Sequence, residues 1–424
     1  MNGGARDRAA RIVKQWLTEE AFPDRLVERE RRDRAFLMEV VYGTIKWKAQ
    51  LEWLLGHLAD RSPADPLVRA YLLTGLYQII HLESAASHAV VNEAVEGAKA
   101  AGGAALASFV NAVLRRALRE KDVLLAALEQ APPSVRFSHP EPLIARWMAR
   151  WGWEQTRAIL EWDNGRPEVV IRIHLSRTSR EALERRWAEA GITFRPHPAA
   201  PDRCLIVERG RAVTELPGWA EGWMTVQDPA TLVPVELLDP KPGERLLDAC
   251  CAPGGKLAAI ADRMRGQGHL VGVDADGLRM RQTAENVARL RLENVRLVVG
   301  DVADPTTFQK SAEEAPFDGV LLDVPCTNTG VLRRRPDARW RFTPDRPARM
   351  AEAQWRLLEA AAARVTRGGA SRVCDLQPGA RGERGERPTV ARSPCRLAAG
   401  PGSPLEGRGA RDGWCLCRAV AAII

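Results

Sequence analysis

No stretch of about 18 apolar residues occurs anywhere in this 424-residue sequence, so no membrane span is expected. The first residues, Met1 to Arg8, open straight into a charged helical pattern and lack the apolar core of a secretory leader. Eight cysteines include no Cys-x-x-Cys pair and no even-spaced framework, and seven histidines form no His-Glu-x-x-His spacing. These absences argue against a disulfide scaffold; a reducing cytoplasm is the expected setting, and no metal is expected. Lysine is missing from residues 371–424, which hold nine arginines, eight glycines and five prolines with neither a helical nor a strand period.

An excess of one charge is also nearly absent. Lys+Arg number 62 against 54 Asp+Glu, a net charge of +8. Residues 371–424 carry nine basic and five acidic residues, and the remainder carries 53 against 49, so half of the surplus sits in the last segment. The overall charge is therefore weak evidence for a polyanionic partner. With 45% apolar and 27% charged residues, a wholly disordered or fibrous chain is excluded. At roughly 100–200 residues per domain, the length fits two to four domains.

From residue 5 onward, apolar residues recur at helical spacing: Ala9, Ile12, Val13 and Trp16, then Leu37, Val40 and Val41, then Leu51, Leu54, Leu55 and Leu58. Amphipathic runs continue through Leu106–Ala117, with Arg115, Arg116 and Arg119 on the outer side, either as a solvated face or as RNA contacts. This predicts an all-helical bundle over 1–128. Residues 129–235 read as a small α+β module: a strand near Val169–Leu175, a helix over Ser179–Gly191, short strands at Ile192–Phe194 and Cys204–Val207, and Trp-rich turns at Trp147–Trp153 and Trp219–Trp223. Over 236–370, strands and helices alternate as in a doubly wound parallel sheet, with Asp248, Asp274, Asp301 and Asp323 at carboxyl ends of strands. Residues 371–424 are expected to be an aberrant tail without order, leaving the sheet short of its last strands.

The segment Asp248-Ala-Cys-Cys-Ala-Pro-Gly-Gly-Lys256 joins the first strand of that sheet to its first helix. Gly254 and Gly255 clear space for a ligand to approach the backbone, and the helix start offers unpaired N–H groups to an anion. The motif is not Gly-x-Gly-x-x-Gly, so a dinucleotide is not the natural guest. Asp274 stands where a carboxylate accepts ribose hydroxyls, and Asp301 where it contacts an adenine amino group or the loop beside it. S-adenosylmethionine satisfies all three.

Taken together, DACCAPGGK, VDAD, GDVAD and DVPCTNTGVLRRRPDARWR resemble the RNA 5-methylcytosine methyltransferases. The nearest branch is the 16S rRNA cytosine-C5 methyltransferases with an N-terminal domain like the antitermination factor NusB. SHAVVNEAV at 87–95, FVNAVLRR at 109–116 and QDPAT at 227–231 resemble that branch as well. The resemblance covers residues 5–370. It implies a NusB-like bundle, an RNA-recognition module and a Rossmann-like sheet binding S-adenosylmethionine. The implied cofactor site is Cys250, Cys251, Ala252, Pro253, Gly254, Gly255, Lys256, Asp274, Asp301 and Asp323. It further implies a cytoplasmic, monomeric protein acting on 16S rRNA, either free or in a small-subunit precursor, without a membrane partner.

In such enzymes a thiolate adds to cytosine C6, C5 takes the methyl group, and loss of the C5 proton expels the sulfur. The resemblance assigns Cys326 to product release and Asp323 to orienting base and cofactor. Arg333, Arg334 and Arg335 become candidates for phosphate contacts. The nucleophile itself, the Cys of a Thr-Cys-Ser motif, is missing: after Thr366-Arg-Gly-Gly369 the chain reads RVCDLQPGARGER from Arg372. Written in one set of permitted codons and read one base later, this stretch gives VYATCSLEPEEN, with the cysteine codon straddling Leu376 and Gln377. A frameshift near 369–372 is the expectation, and with it loss of C5 methylation by the chain as written. The alternative function is a non-catalytic RNA-binding protein or an antitermination-type factor. Cys415-Leu-Cys417 is a weak metal signal, His88 and His174 read as structural, and the tryptophans as packing.

Overall fold

The computed structural model describes residues 4–19, 21–30, 32–61, 63–83, 85–208, 210–311, 316–365, 372–376 and 415–419. They form two compact units, one of Met1–Pro167 with Val331–Arg346, the other of Glu168–Gly330 with Pro347–Ile424.

The first unit is helical, with Ala5–Glu19, Arg34–Lys46, Lys48–Leu58, Pro66–His81, Ser87–Gly102 and Ala104–Arg119 sharing one apolar core. The periodic positions read from the sequence, Ala9, Ile12, Val13, Leu37, Val40, Val41, Leu51, Leu54 and Leu55, are no more than 2% exposed. The helix Pro66–His81 is buried almost all round, as an uninterrupted apolar run requires. Pro66 starts it, and the Asp65 carboxylate accepts from the Leu67 and Val68 amides at 2.7 and 3.2 Å.

The Trp-rich turn expected at Trp147–Trp153 is instead part of a helical stretch, Glu141–Asn164, broken only at Gly152 (φ 73°, ψ 177°). Trp147 is a core residue here, packed with Leu143, Ile144 and Leu160, so the chain stays helical on both sides of one glycine. Leu332, Ala338 and Phe342 complete that same cluster from the Val331–Arg346 segment.

The second unit holds two sheets. Strands β1 (Val169–Ile173), β2 (Phe194–Pro196), β3 (Cys204–Val207) and β4 (Met224–Val226) pair antiparallel in the order β2-β3-β1-β4. Ile171, Ile173, Leu205 and Val207 turn one face onto Leu183 and Trp187 of helix Arg180–Glu189. Val170, Cys204 and Ile206, of opposite parity, turn the other onto Leu257 and Ile260.

Strands β5 (Arg245–Asp248), β6 (His269–Asp274), β7 (Val295–Val299), β8 (Gly319–Leu321), β9 (Arg372–Leu376) and β10 (Cys415–Ala419) form a parallel sheet in the order β10-β9-β8-β5-β6-β7. Its strand order reverses at β5, where β6 lies on one side and β8 on the other. This places a ligand crevice at the carboxyl ends of β5 and β8. The sheet also corrects one expectation: it is not short of strands beyond residue 370. β9 pairs along β8 with Val320 opposite Val373 and Leu321 opposite Cys374, and β10 adds to β9. The backbone edge of β8 presents donors and acceptors that a following extended segment satisfies, whatever its side chains. The rest of the tail lies outside the described residues.

Candidate active site

The loop after β5 is built around two backbone bonds. The Cys251 amide donates to Val273 O at 2.9 Å and the Gly254 amide to Cys251 O at 2.7 Å. Gly254 has φ 96°, and a Cβ there would stand 3.0 Å from Thr283 Cγ2, so only glycine fits without strain. Helix Gly255–Arg263 starts immediately after it. Arg279 donates to Ala252 O and Asn286 to Pro253 O at 3.3 Å, which fixes the loop from the following helix.

Asp274 closes the loop from β6: its Oδ2 accepts from the Ala252 amide at 3.1 Å and its Oδ1 from the Asp276 amide at 2.9 Å. Lys256 Nζ meets Asp323 Oδ2 at 2.6 Å, joining the start of the first helix to the end of β8. Asp301 accepts from the Ala303 amide at 2.9 Å and pairs with Arg356 at 3.0 Å. All four acids act on one thiol. Burial first, then Asp248, Asp274, Asp323 and Asp301, push Cys250 up to about 12, so it stays protonated. Burial raises Cys251 further still, and its Sγ lies 3.6 Å from Met280 Sδ, so its side chain faces the core.

Cys326 is half-buried in the loop following β8, five residues past Leu321, where the Asn328 amide donates to its Sγ at 3.4 Å. Gln354 Nε2 donates to Pro325 O at 3.0 Å and holds the Pro-Cys turn from helix Arg346–Ala362. The three arginines that follow are placed elsewhere, in the helical unit. Arg333 lies 4.0 Å over the Trp162 ring and donates to Arg166 O; Arg335 pairs with Asp24 at 3.0 Å; Arg334 is exposed.

Sequence reasoning gave two groups here no role in the site. Asp248 is fully buried, neither of its carboxylate oxygens meets hydrogen-bond geometry with a partner, and burial pushes it up to about 7 against the opposing pull of Lys256. Its signal was its position, an acid at the strand end directly before the glycine loop. Gln354 sits 29 residues beyond Pro325, and no local pattern marks it.

Three family models match the chain. The NusB family covers 4–119, a ferredoxin-like domain of RsmF/B-like methyltransferases covers 139–214, and the 16S rRNA methyltransferase RsmB/F model covers 235–374. The ribosomal RNA small subunit methyltransferase B of Pseudomonas putida is 36% identical over 84% of this chain and 80% of its own length. The chain belongs to the 16S rRNA methyltransferase RsmB/F family. A probable ribosomal RNA small subunit methyltransferase B of Synechocystis is 35% identical over 82% of this chain and 78% of its own. The crystal structure of PH0851 shares the fold, with a TM-score of 0.70 at 22% identity over 88% of this chain and 85% of that one. As an RsmB/F methyltransferase, the chain carries the NusB-like helical part and the Rossmann-like sheet that its sequence implied, and its α+β module matches a ferredoxin-like domain. No helix among the described residues is long and apolar enough to cross a membrane.

Proposed function

We propose that this chain derives from an enzyme that methylates cytosine C5 in 16S rRNA with S-adenosylmethionine. We propose further that the polypeptide as written binds cofactor and RNA without completing the reaction. The observation that carries the reading is the convergence of Lys256, Asp323 and Asp274 on the loop that only Gly254 can turn. That loop ends in a helix start with free N–H groups, and the crevice is rimmed by carboxylates, which suits a nucleoside bearing an amino-acid tail. When bound, the cofactor supplies an electrophilic methyl group. Asp274 would accept from ribose hydroxyls, Asp301 is placed for the adenine side, and the loop Cys250–Lys256 would cradle the tail.

The chain's own groups account for part of the methyl transfer. Asp323, held by Lys256, is in position to orient the target base, and Cys326 is held on a turn buttressed by Gln354. The addition to C6 needs a second thiolate. Sulfur bonds to C6, the electron pair at C5 takes the methyl, the C5 proton leaves to a base, and the C6–S bond breaks. The frame-shifted reading puts that cysteine at the position of Leu376 and Gln377. The end of β9 runs beside β8 in the register that sets Leu321 opposite Cys374. The protein as written has no cysteine at residues 376 and 377.

We place the activity in the cytoplasm, on free 16S rRNA or a small-subunit precursor, with a monomeric protein. Arg334 and Arg335, both exposed, are candidates for phosphate contacts. Calorimetry with S-adenosylmethionine and methyl transfer to 16S rRNA test the proposal on two chains. The chain as written should bind cofactor and leave no 5-methylcytosine by bisulfite sequencing; the frame-restored chain should do both. A confirmed in-frame gene whose product methylates cytosine would sink the frameshift reading.

A further inference from the structure

A cleft of about 630 Å³ lies within the second unit, at the end of helix Gly255–Arg263 away from the glycine loop. One wall is the β1–β3 sheet with the chain just after it, Arg172, Ile173, Leu175, Ser176 and Arg203; the other is Leu232, Val235, Ala259, Asp262, Arg263 and Arg265. Seven residues separate Gly255 from Asp262, about 10 Å of helix, so the cleft is distinct from the cofactor loop.

Its floor is charge-neutral. Arg172 is 2% exposed; it donates to Gln227 Oε1 at 2.6 Å and pairs with Asp262 at 3.3 Å. Asp262 is saturated, because the Ser176 amide and hydroxyl take its other oxygen at 2.9 and 2.5 Å. The rim is cationic. Arg203 and Arg263 share the single carboxylate of Glu236 at 3.3 and 3.5 Å, and Asp239, 4.0 Å from Arg263, is held more closely by Lys241 at 2.8 Å. Arg265 is exposed and has no ion-pair partner among the described residues. Three arginines against one shared carboxylate leave a net positive rim; the apolar residues beneath it, Ile173, Leu232, Val235 and Ala259, are no more than 4% exposed, and Leu175 stays 51% exposed at the mouth.

We infer that this cleft binds one nucleotide of single-stranded RNA, its phosphate on Arg265 and Arg203 and its base against the exposed Leu175. The inference rests on the reading that RNA is the substrate, and it adds a binding point remote from the cytosine that reacts. The volume suits a single nucleotide, within the roughly 300–1,000 Å³ typical of ligand clefts. Exposed arginines offer contacts to the phosphate, and Leu175 beside them offers an apolar surface to the base.

The test is fluorescence anisotropy with an unstructured 12-nucleotide RNA and the full chain. It compares wild type with Arg265→Gln, Arg203→Gln/Arg265→Gln, and the control Arg296→Gln on the exposed face of β7. Thermal melts and S-adenosylmethionine calorimetry confirm fold and cofactor site in each variant. The inference expects about a tenfold weaker Kd for the double variant and little change for the control. The salt slope of the double variant should fall by ~0.7 for each phosphate that is no longer neutralised. The inference is overturned if the cleft variants bind RNA like the control, or if inorganic phosphate competes as well as cytidine monophosphate, since the cleft then takes a small anion and not a nucleotide. A wild-type chain that binds no RNA overturns it together with the RNA reading itself, so the two failures are distinguishable.

Discussion

Arg339 donates from Nη1 to Asn164 Oδ1 at 3.0 Å across 175 residues of sequence, and the same nitrogen reaches Ser138 O at 3.0 Å and Lys46 O at 3.3 Å. The guanidinium is wholly buried, and burial lowers it to about 10, which leaves it charged at neutral pH. A segment that begins five residues after Cys326 is thereby anchored among the helices of the first unit.

Replacing this cation leaves its carbonyl and amide acceptors without a donor. Arg339→Met is expected to destabilise the helical unit by about 3 kcal/mol or more, read as a drop in urea midpoint. Arg334→Met, on the exposed neighbour, should change the midpoint by no more than about 0.5 kcal/mol.

Asp248 predicts a pH dependence. Burial lifts its carboxyl from the ordinary range to about 7, so between about pH 4 and 7 the folded chain holds a proton that the unfolded chain has released. The stability associated with that proton is fully present below pH 4 and disappears as pH rises through 7. Three units correspond to about 4 kcal/mol at most. Asp248→Asn cannot ionise, so its melting temperature should exceed that of wild type at pH 8 and approach it at pH 4. An equal offset at both values would rule this out.

Gly254→Val forces a branched side chain into φ 96° and against Thr283. The conformational cost is about 1–2 kcal/mol, and the loop should relax away from its cofactor geometry. Calorimetry is expected to show no S-adenosylmethionine heat while the helical unit melts unchanged. Full cofactor affinity in this variant would refute the loop's role.

In the frame-restored chain, Cys326→Ser separates bond formation from release. If Cys326 assists expulsion of the nucleophile, the variant should accumulate a protein–RNA adduct stable to denaturing gels, with methyl groups already on the RNA. Normal turnover with no adduct would remove Cys326 from the chemistry.

What the sequence determined by itself is local. The helical period placed the core faces of the first bundle, because each buried position recurs on one side of its own helix. The glycine loop and the acids at strand ends declared themselves for a similar reason: a ligand crevice at a topological switch point needs small residues and carboxylates at fixed offsets from strands. Tertiary structure decided the rest. The return of Val331–Arg346 to the helical unit depends on Arg339 meeting carbonyls far away in sequence, and a lone arginine carries no mark of that. The burial of Asp248 beside Lys256, Asp323 and Asp274, the saturation of Asp262 by Arg172 and Ser176, and the cationic cleft beyond them are relations between distant residues. Periodicity reports which face a residue occupies, but only folding decides what stands opposite it.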